Sequence, residues 1–515
     1  MGAQRLIAAL ALATAATLAW PQAVEKVYAD HCALCHGVDR LGAVGPALLP
    51  ESLERLRKPA AVQVIAQGRV ATQMPRFDDK LSAAQIEDLA AWLYTRPGLA
   101  PVWGEAEIRA SRVVHPPAKP DASRPVFAAD PMNLFVVVET GDHHATILDG
   151  DRLEPIARFA TRYAVHGGPK FSPDGRYVTF ASRDGWVSRY DLWNLRMVAE
   201  ARVGINTRNI AVSSDGRYVM AANYLPHTLV VLDAELNFVK LLPVRDREGK
   251  KSSRVSAVYD AAPRKSFVAA LKDIPEVWEI SYDDKAEPIA MGVIHDFQYR
   301  EGAFIPGKLN PRRSVLTELL DDFFFTRDYS EVLGTGRDGG KAQVVHLDVR
   351  RKIASVDVPG MPHLASGITW DWNGRNVLAT PNLREGSVSV IDTKDWRLVR
   401  QIPTLGPGFF LRSHEKTPYA WVDAFMSPRK DTLQIIHKGT LEVVKELRPA
   451  PGKTTAHVEF SRDGRYALVS VWELDGAVIV YDAATLEEVK RLPMKKPSGK
   501  YNVHNKVTRS DGTSH

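Results

Sequence analysis

The sequence predicts a small all-α domain followed by an all-β eight-bladed propeller, and three observations carry that prediction. A cysteine–histidine motif and a capped amphipathic helix stand near the N-terminus, and a turn signature then recurs at near-constant spacing to the end of the chain. At 515 residues the chain exceeds one ordinary domain. Hydrophobic residues at 45% and charged residues at 25% exclude a disordered or fibrous protein. Two cysteines exclude a disulfide framework. The net charge of +6 is spread without a block of like charges, which argues against nucleic acid as partner and suits a small anionic ligand.

Residues 1–23 read as a secretory signal peptide. Arg5 precedes the apolar run Leu6–Leu18, which is too short to span a membrane, and small residues follow with cleavage expected near Ala19 or Ala23. No other long apolar run exists, so the mature chain is expected to be exported, to a bacterial periplasm, without a membrane span.

Both cysteines belong to Cys32-Ala33-Leu34-Cys35-His36, the C-x-x-C-H signature of covalent haem attachment. Two thiols three positions apart on one helical turn add to the two vinyl groups of one haem, and His36 then faces the iron. A second axial ligand is expected at Met74, in the Pro-containing loop Gln73–Phe77, where a thioether raises the haem potential and suits an electron acceptor. A helix is predicted from Ser82 to about Thr95, with a Ser82/Gln85 capping box, a Leu81–Ile86 staple and an apolar face of Ile86, Leu89, Ala90 and Leu93. Residues 24–97 therefore resemble a class I cytochrome c domain, and residues 98–120, with the Pro-rich His115–Pro120, read as linker.

The rest is a repeat. Phe171–Tyr177 (FSPDGRY), Val212–Tyr218 (VSSDGRY) and Phe460–Tyr466 (FSRDGRY) each read as a strand end, an Asp-Gly turn and a second strand, with a further hairpin behind them. Weaker copies start at Phe127, Val258, Phe325, Trp370 and near Glu415. The intervals run from 41 to 46 residues, except 67 between Val258 and Phe325, which places an insertion within about 284–320. Four strands every 45 residues or so is a propeller pattern, and the count over 121–515 is eight blades. The shared Asp-Gly-Arg belongs to the turn and is discounted as a site. A few residues before each repeat start, where the innermost strand begins, stand Arg124, His166, Arg208, Arg254, Asp321 with Asp322, His363, Arg412 and His457. Histidines and arginines converging on one rim suit a metal-bearing polyanion, since guanidinium grips carboxylates and neutral imidazole binds iron.

A cytochrome c module ahead of such a propeller, with Tyr163-Ala-Val-His166, Arg183-Asp-Gly185 and the tail Pro497–Val503, resembles the cytochrome cd1 family over essentially the whole mature chain. The resemblance implies haem d1 or a precursor in the propeller, with His166 on its iron. The family's nitrite reductase sets two histidines over the open iron face; His363 matches one, and Leu320-Asp321-Asp322 stands where the other belongs. One remaining histidine suits a distal iron ligand, and the run Ala222–Leu229 (ANYLPHTL) is closer to the maturation members of the family. The implied activity is desaturation of a propionate of dihydro-haem d1 to an acrylate, with electrons passing to the single covalent c haem and on to an external periplasmic acceptor. His457 is the expected base, with Tyr501 orienting it or relaying the proton. Arg208, Arg254 and Arg412 are the expected carboxylate clamps, and Asp321 and Asp322 are read as facing water. The nitrite reductase is a conceivable recipient of the product. Two other functions fit the same resemblance: a nitrite reductase with an altered distal pocket, and a non-catalytic haem d1 carrier.

Overall fold

The structure, a computed structural model, describes residues 23–515 apart from residues 44, 54–55, 69–73, 99–100, 119, 164, 166–167, 292–302, 337–340, 510 and 513–515. The export segment, residues 1–22 of it, and His166 lie outside the described residues. The chain divides into two compact units, Met1–Val102 and Trp103–His515.

The first unit is helical. Residues 23–31 form a helix, followed by Ala33–His36, Pro50–Leu53, Lys58–Gln67 and Ala83–Leu93. The last of these starts where its sequence says it should. The Gln85 N–H donates to Ser82 Oγ at 3.3 Å, and the Ser82 N–H donates to Gln85 Oε1 at 2.9 Å, which satisfies two otherwise orphaned donors. Its buried face, Ile86, Leu89, Ala90 and Leu93, packs with Leu81, Val24, Tyr28, Ile65 and Phe77 in one core. Each large aliphatic side chain buried there contributes about 1.5–3 kcal/mol.

The second unit is an eight-bladed propeller of four-stranded antiparallel sheets. The repeated turn has one cause in all three strong copies. Ser172, Ser213 and Ser461 each donate through Oγ to Asp174, Asp215 and Asp463, and each accepts the N–H of Tyr177, Tyr218 or Tyr466 at 2.9 Å. The glycines that follow stand at φ of 70°, 73° and 73°, the left-handed region open to glycine.

The core of the propeller is divided among the gaps between consecutive blades, because alternate residues of a strand face opposite neighbours. In the first blade Leu134, Val136 and Val138 pack on Val178 and Phe180 of the second blade. Phe135 and Val137, between them in sequence, pack on Leu468, Val478 and Val480 of the eighth. The residues beyond the blade-four repeat lie between Glu276–Ser281 and Pro311–Val315, where Ile289–Met291 and Ala303–Ile305 pair as a separate ribbon.

The sheet that holds the first repeat takes its innermost strand from the far end of the chain. Pro497–Asn502 pairs with Leu134–Glu139, with Val136 opposite Tyr501 and Val137 opposite Lys500. One expectation changes as a result. Arg124 is exposed and stands on no inner strand; the N–H of nearby Val126 donates instead to Trp193 O, at the turn leading to the outer strand of the second blade. Tyr501 lies within the closing strand itself. The helix that follows, Val503–Thr508, leads a segment across the opposite end of the propeller axis. There Asn505 donates to Phe460 O, Ser413 donates to Gly512 O, and Asp511 accepts from Thr369 and Arg327. Part of the stretch read as linker is also structured. Glu105–Ala110 is a helix that buries Ile108 against the second and third blades, and Val113–Val114 pairs with the outer strand Arg196–Arg202.

Candidate active site

In the first unit, His36 is buried and its Nδ1–H donates to Pro46 O at 2.8 Å, which fixes the tautomer and leaves Nε2 to face a metal. Gly45 packs flat on this ring: a Cβ there would stand 2.7 Å from His36 Cε1. Cys32 caps the Ala33–His36 turn and Cys35 lies within it, and the two are free thiols. Met74 is half-buried against the same core that holds Cys32. A buried histidine with Nε2 left over, beside two unlinked thiols, fits a covalently attached haem.

In the second unit, an aromatic arc joins three neighbouring blades to the closing strand. The His363 ring lies 4.3 Å from Phe409, Phe409 lies 4.8 Å from Phe410, Phe410 lies 4.8 Å from His457, and His457 lies 5.1 Å from Tyr501. His363 donates through Nδ1–H to Phe409 O at 2.6 Å, so its Nε2 is left for a ligand, as at His36. Asp423, buried and pushed up to about 6 by that burial, fixes the pair from behind by accepting the N–H groups of Phe409 and Phe410 at 2.7 and 3.0 Å. Burial lowers His363 to about 4 and holds it neutral.

His457 is 2% exposed, stands at φ 51°, and is the extra residue of a bulge: Ala456 pairs with Ser470 and Val458 with Val469. A left-handed backbone at a residue with a Cβ costs on the order of 1 kcal/mol and is kept where the surroundings demand it. Among the described residues its Nδ1 has no hydrogen-bond partner. Burial, then Lys500 and Arg412, push His457 well below the ordinary imidazole range, so it is neutral and its lone pair is available. Tyr501 is pushed up to about 12, chiefly by burial, and keeps its proton. Arg412 is 4% exposed, and among the described residues its guanidinium has no carboxylate within ion-pair distance and its Nε has no hydrogen-bond partner. A buried guanidinium in that condition calls for an anionic ligand.

Arg208 and Arg254 meet elsewhere, on the third and fourth blades, over the face of Tyr224 at 4.4 and 5.5 Å. Arg254 also grips Asp273 through Nε at 2.8 Å and through Nη2. Asp321 and Asp322 do not face water. Asp321 pairs with Lys272 at 2.7 Å, and Asp322 accepts from Tyr259 Oη at 2.9 Å and from Ala365 N at 2.8 Å. Burial raises Asp322 to about 6.

The structure therefore brings His363, Arg412, His457 and Tyr501 together, and Arg208 with Arg254. Sequence reasoning missed Phe409–Phe410, Asp273, the buried Lys500 and the half-buried Lys170 and Lys506. The adjacent aromatics after Gly406-Pro-Gly408 were a usable signal; lysines inside a propeller give none, since lysine ordinarily marks a surface.

The cytochrome D1 heme domain family matches residues 129–506. The chain belongs to this family. Its N-terminal module matches a second family, described as cytochrome C oxidase, cbb3-type, subunit III, over residues 19–93. Within the D1 family the chain is 54% identical to the dihydro-heme d1 dehydrogenase of Pseudomonas aeruginosa, over 95% of each chain. It is 30% identical to protein NirF of the same organism, over 72% of this chain and 91% of that one. A nitrite reductase of Stutzerimonas stutzeri is 23% identical over 97% of this chain and 95% of its own. Among solved structures, dihydro-heme d1 dehydrogenase NirN in complex with DHE superposes with a TM-score of 0.83 at 54% identity, over 94% of this chain and 99% of that one. The cytochrome c domain and the eight-bladed propeller expected from the sequence are both borne out.

Proposed function

We propose that this protein is a dihydro-haem d1 dehydrogenase, which desaturates a propionate side chain of the bound tetrapyrrole to an acrylate with loss of two electrons and two protons. The observation that carries the reading is the His457–Tyr501 pair beside the buried Arg412, whose guanidinium meets Leu411 O but no carboxylate among the described residues, in a chain that keeps its own C-x-x-C-H module. The 54% identity over both modules supports it.

The residues divide the work. His166 and His363 would hold the substrate's iron from its two faces. Arg412 would take a substrate carboxylate, assisted by Arg208; Arg254, which commits two of its N–H donors to Asp273, contributes less of its fork. His457, neutral under the charge of Arg412 and Lys500, removes the C–H proton at the side chain, and Tyr501 against its ring orients it and passes the proton on. Positive charge around the base also opposes retention of the proton, which favours its release. Cys32, Cys35, His36 and Met74 would hold a c haem, which would supply a one-electron acceptor. The place of the family's second distal histidine is filled here by Asp321 and Asp322, both committed to protein partners, which disfavours nitrite as substrate. Export to the periplasm, an external electron acceptor and a nitrite reductase as recipient of the product belong to the same proposal. Among the described residues no helix is long and apolar enough to cross a membrane.

The experiment is His457→Ala. It is expected to bind dihydro-haem d1 as the parent does and to convert it slower by about a hundredfold or more, the usual share of a general base. Conversion at the parental rate would remove His457 from the role.

A further inference from the structure

We propose that Lys500 is the positioning residue of this active site: its amine bridges the bulged backbone of His457 to the neighbouring strand and so aims the base. The inference rests on the dehydrogenase reading and extends it to a residue outside the rim.

Lys500 is 0% exposed, among the largest fully buried side chains of the protein. A lysine is almost never buried so completely without a specific partner, because desolvation penalises the ammonium. Its Nζ donates to His457 O and, at 2.8 Å, to Ser470 Oγ. Those two acceptors belong together. His457 is the residue left over when Ala456 pairs with Ser470 and Val458 with Val469, so it takes no place in the regular ladder with the next strand. Lys500 supplies a donor to that carbonyl and ties it to Ser470, the partner of the preceding residue.

The donor count agrees with this arrangement. Burial drives Lys500 well below the ordinary lysine range, against Glu459 and with Arg412. Its Nζ offers N–H groups in either protonation state, and His457 O and Ser470 Oγ accept two of them. Lys500 is also the residue before Tyr501 on the closing strand, whose register places Lys500 opposite Val137 and Tyr501 opposite Val136. The strand that closes the propeller therefore holds the base through one residue and meets its ring edge to face through the next. Without the amine the bulge loses its tie, and the imidazole loses the orientation that a proton transfer requires.

The test uses the haem-loaded full chain with dihydro-haem d1 and compares Lys500→Met, Ser470→Ala, His457→Ala and the double variant Lys500→Met/His457→Ala. Lys500→Met is expected to keep substrate affinity and the absorption spectrum of the bound tetrapyrrole within about twofold, while kcat falls about tenfold or more. Ser470→Ala, which removes one of the two acceptors, is expected to lower kcat about threefold with KM unchanged. In the double variant Lys500→Met is expected to add nothing to the loss caused by His457→Ala. A parental kcat in Lys500→Met, or an equal further loss in the His457→Ala background, would overturn the positioning role while leaving the base in place. If Lys500→Met binds no substrate, Ser470→Ala decides, and a parental kcat there overturns the proposal. A parental rate in His457→Ala is a different failure, that of the dehydrogenase base itself.

Discussion

At the scale of single residues, both sites use one device to ready a histidine. A backbone carbonyl takes the Nδ1–H: Pro46 O for His36 at 2.8 Å and Phe409 O for His363 at 2.6 Å. The ring is then fixed in tautomer and rotation with Nε2 outward. His457 is the exception, since among the described residues its Nδ1 has no such partner, and its ring meets Phe410 and Tyr501 instead. That difference suits the proposed roles, since a ligand needs one fixed lone pair and a base must exchange its proton. The support for His36 is testable at Gly45, where a Cβ would approach the ring to 2.7 Å. Gly45→Ala is expected to push the imidazole off its carbonyl and weaken the proximal bond, seen as a c haem that binds carbon monoxide where the parent does not. An unchanged absorption spectrum without carbon monoxide binding would contradict this account.

At the scale of elements, what the sequence made legible was whatever repeats or caps. The Ser-x-Asp-Gly-Arg-Tyr turn is readable because its hydrogen bonds require those side chains at that spacing, and the Ser82–Gln85 box because both partners lie within one turn of helix. Pro497–Asn502 carries no such signature. Its partners are 358 residues or more away in sequence, so local pattern could not show that it supplies the inner strand of the first blade. The misplaced Arg124 follows directly, since the offset counted back from Phe127 pointed at a strand the N-terminal segment does not provide. The His457 bulge was equally hidden, because a bulge is a relation between two strands. Asp321 and Asp322 were misread for a similar reason: their partners Lys272, Tyr259 and Ala365 come from other blades or other repeats.

At the scale of the whole molecule, the propeller crowds Lys170, Lys506, Arg412 and Arg509 close enough to oppose one another's charge, as suits a site for a carboxylate-rich ligand. Burial, then Arg509 and Arg412, hold Lys170 down at about 8. Burial, helped by Arg412 and Lys170 and opposed by Glu459, holds Lys506 down at about 7. Both values lie below the 10.5 of an unperturbed lysine. From about pH 7 to 10.5 the unfolded chain therefore binds more protons than the folded one, and these groups make stability rise with pH across that window. Calorimetry of the substrate-free protein is expected to show a propeller Tm that rises less between about pH 7 and 9 in Lys506→Met than in the parent. Equal slopes would show that Lys506 keeps its proton throughout.

The central claim is that the propeller and the cytochrome module together carry out a two-electron desaturation of a tetrapyrrole, and the most direct measurement is the mass of that tetrapyrrole. The haem-loaded protein would be incubated with dihydro-haem d1 and an electron acceptor, and the extracted pigment weighed while the c haem is followed by absorbance. The account predicts a loss of about two mass units, with transient reduction of the c haem before the acceptor reoxidises it. Tight binding of the pigment at unchanged mass would contradict it.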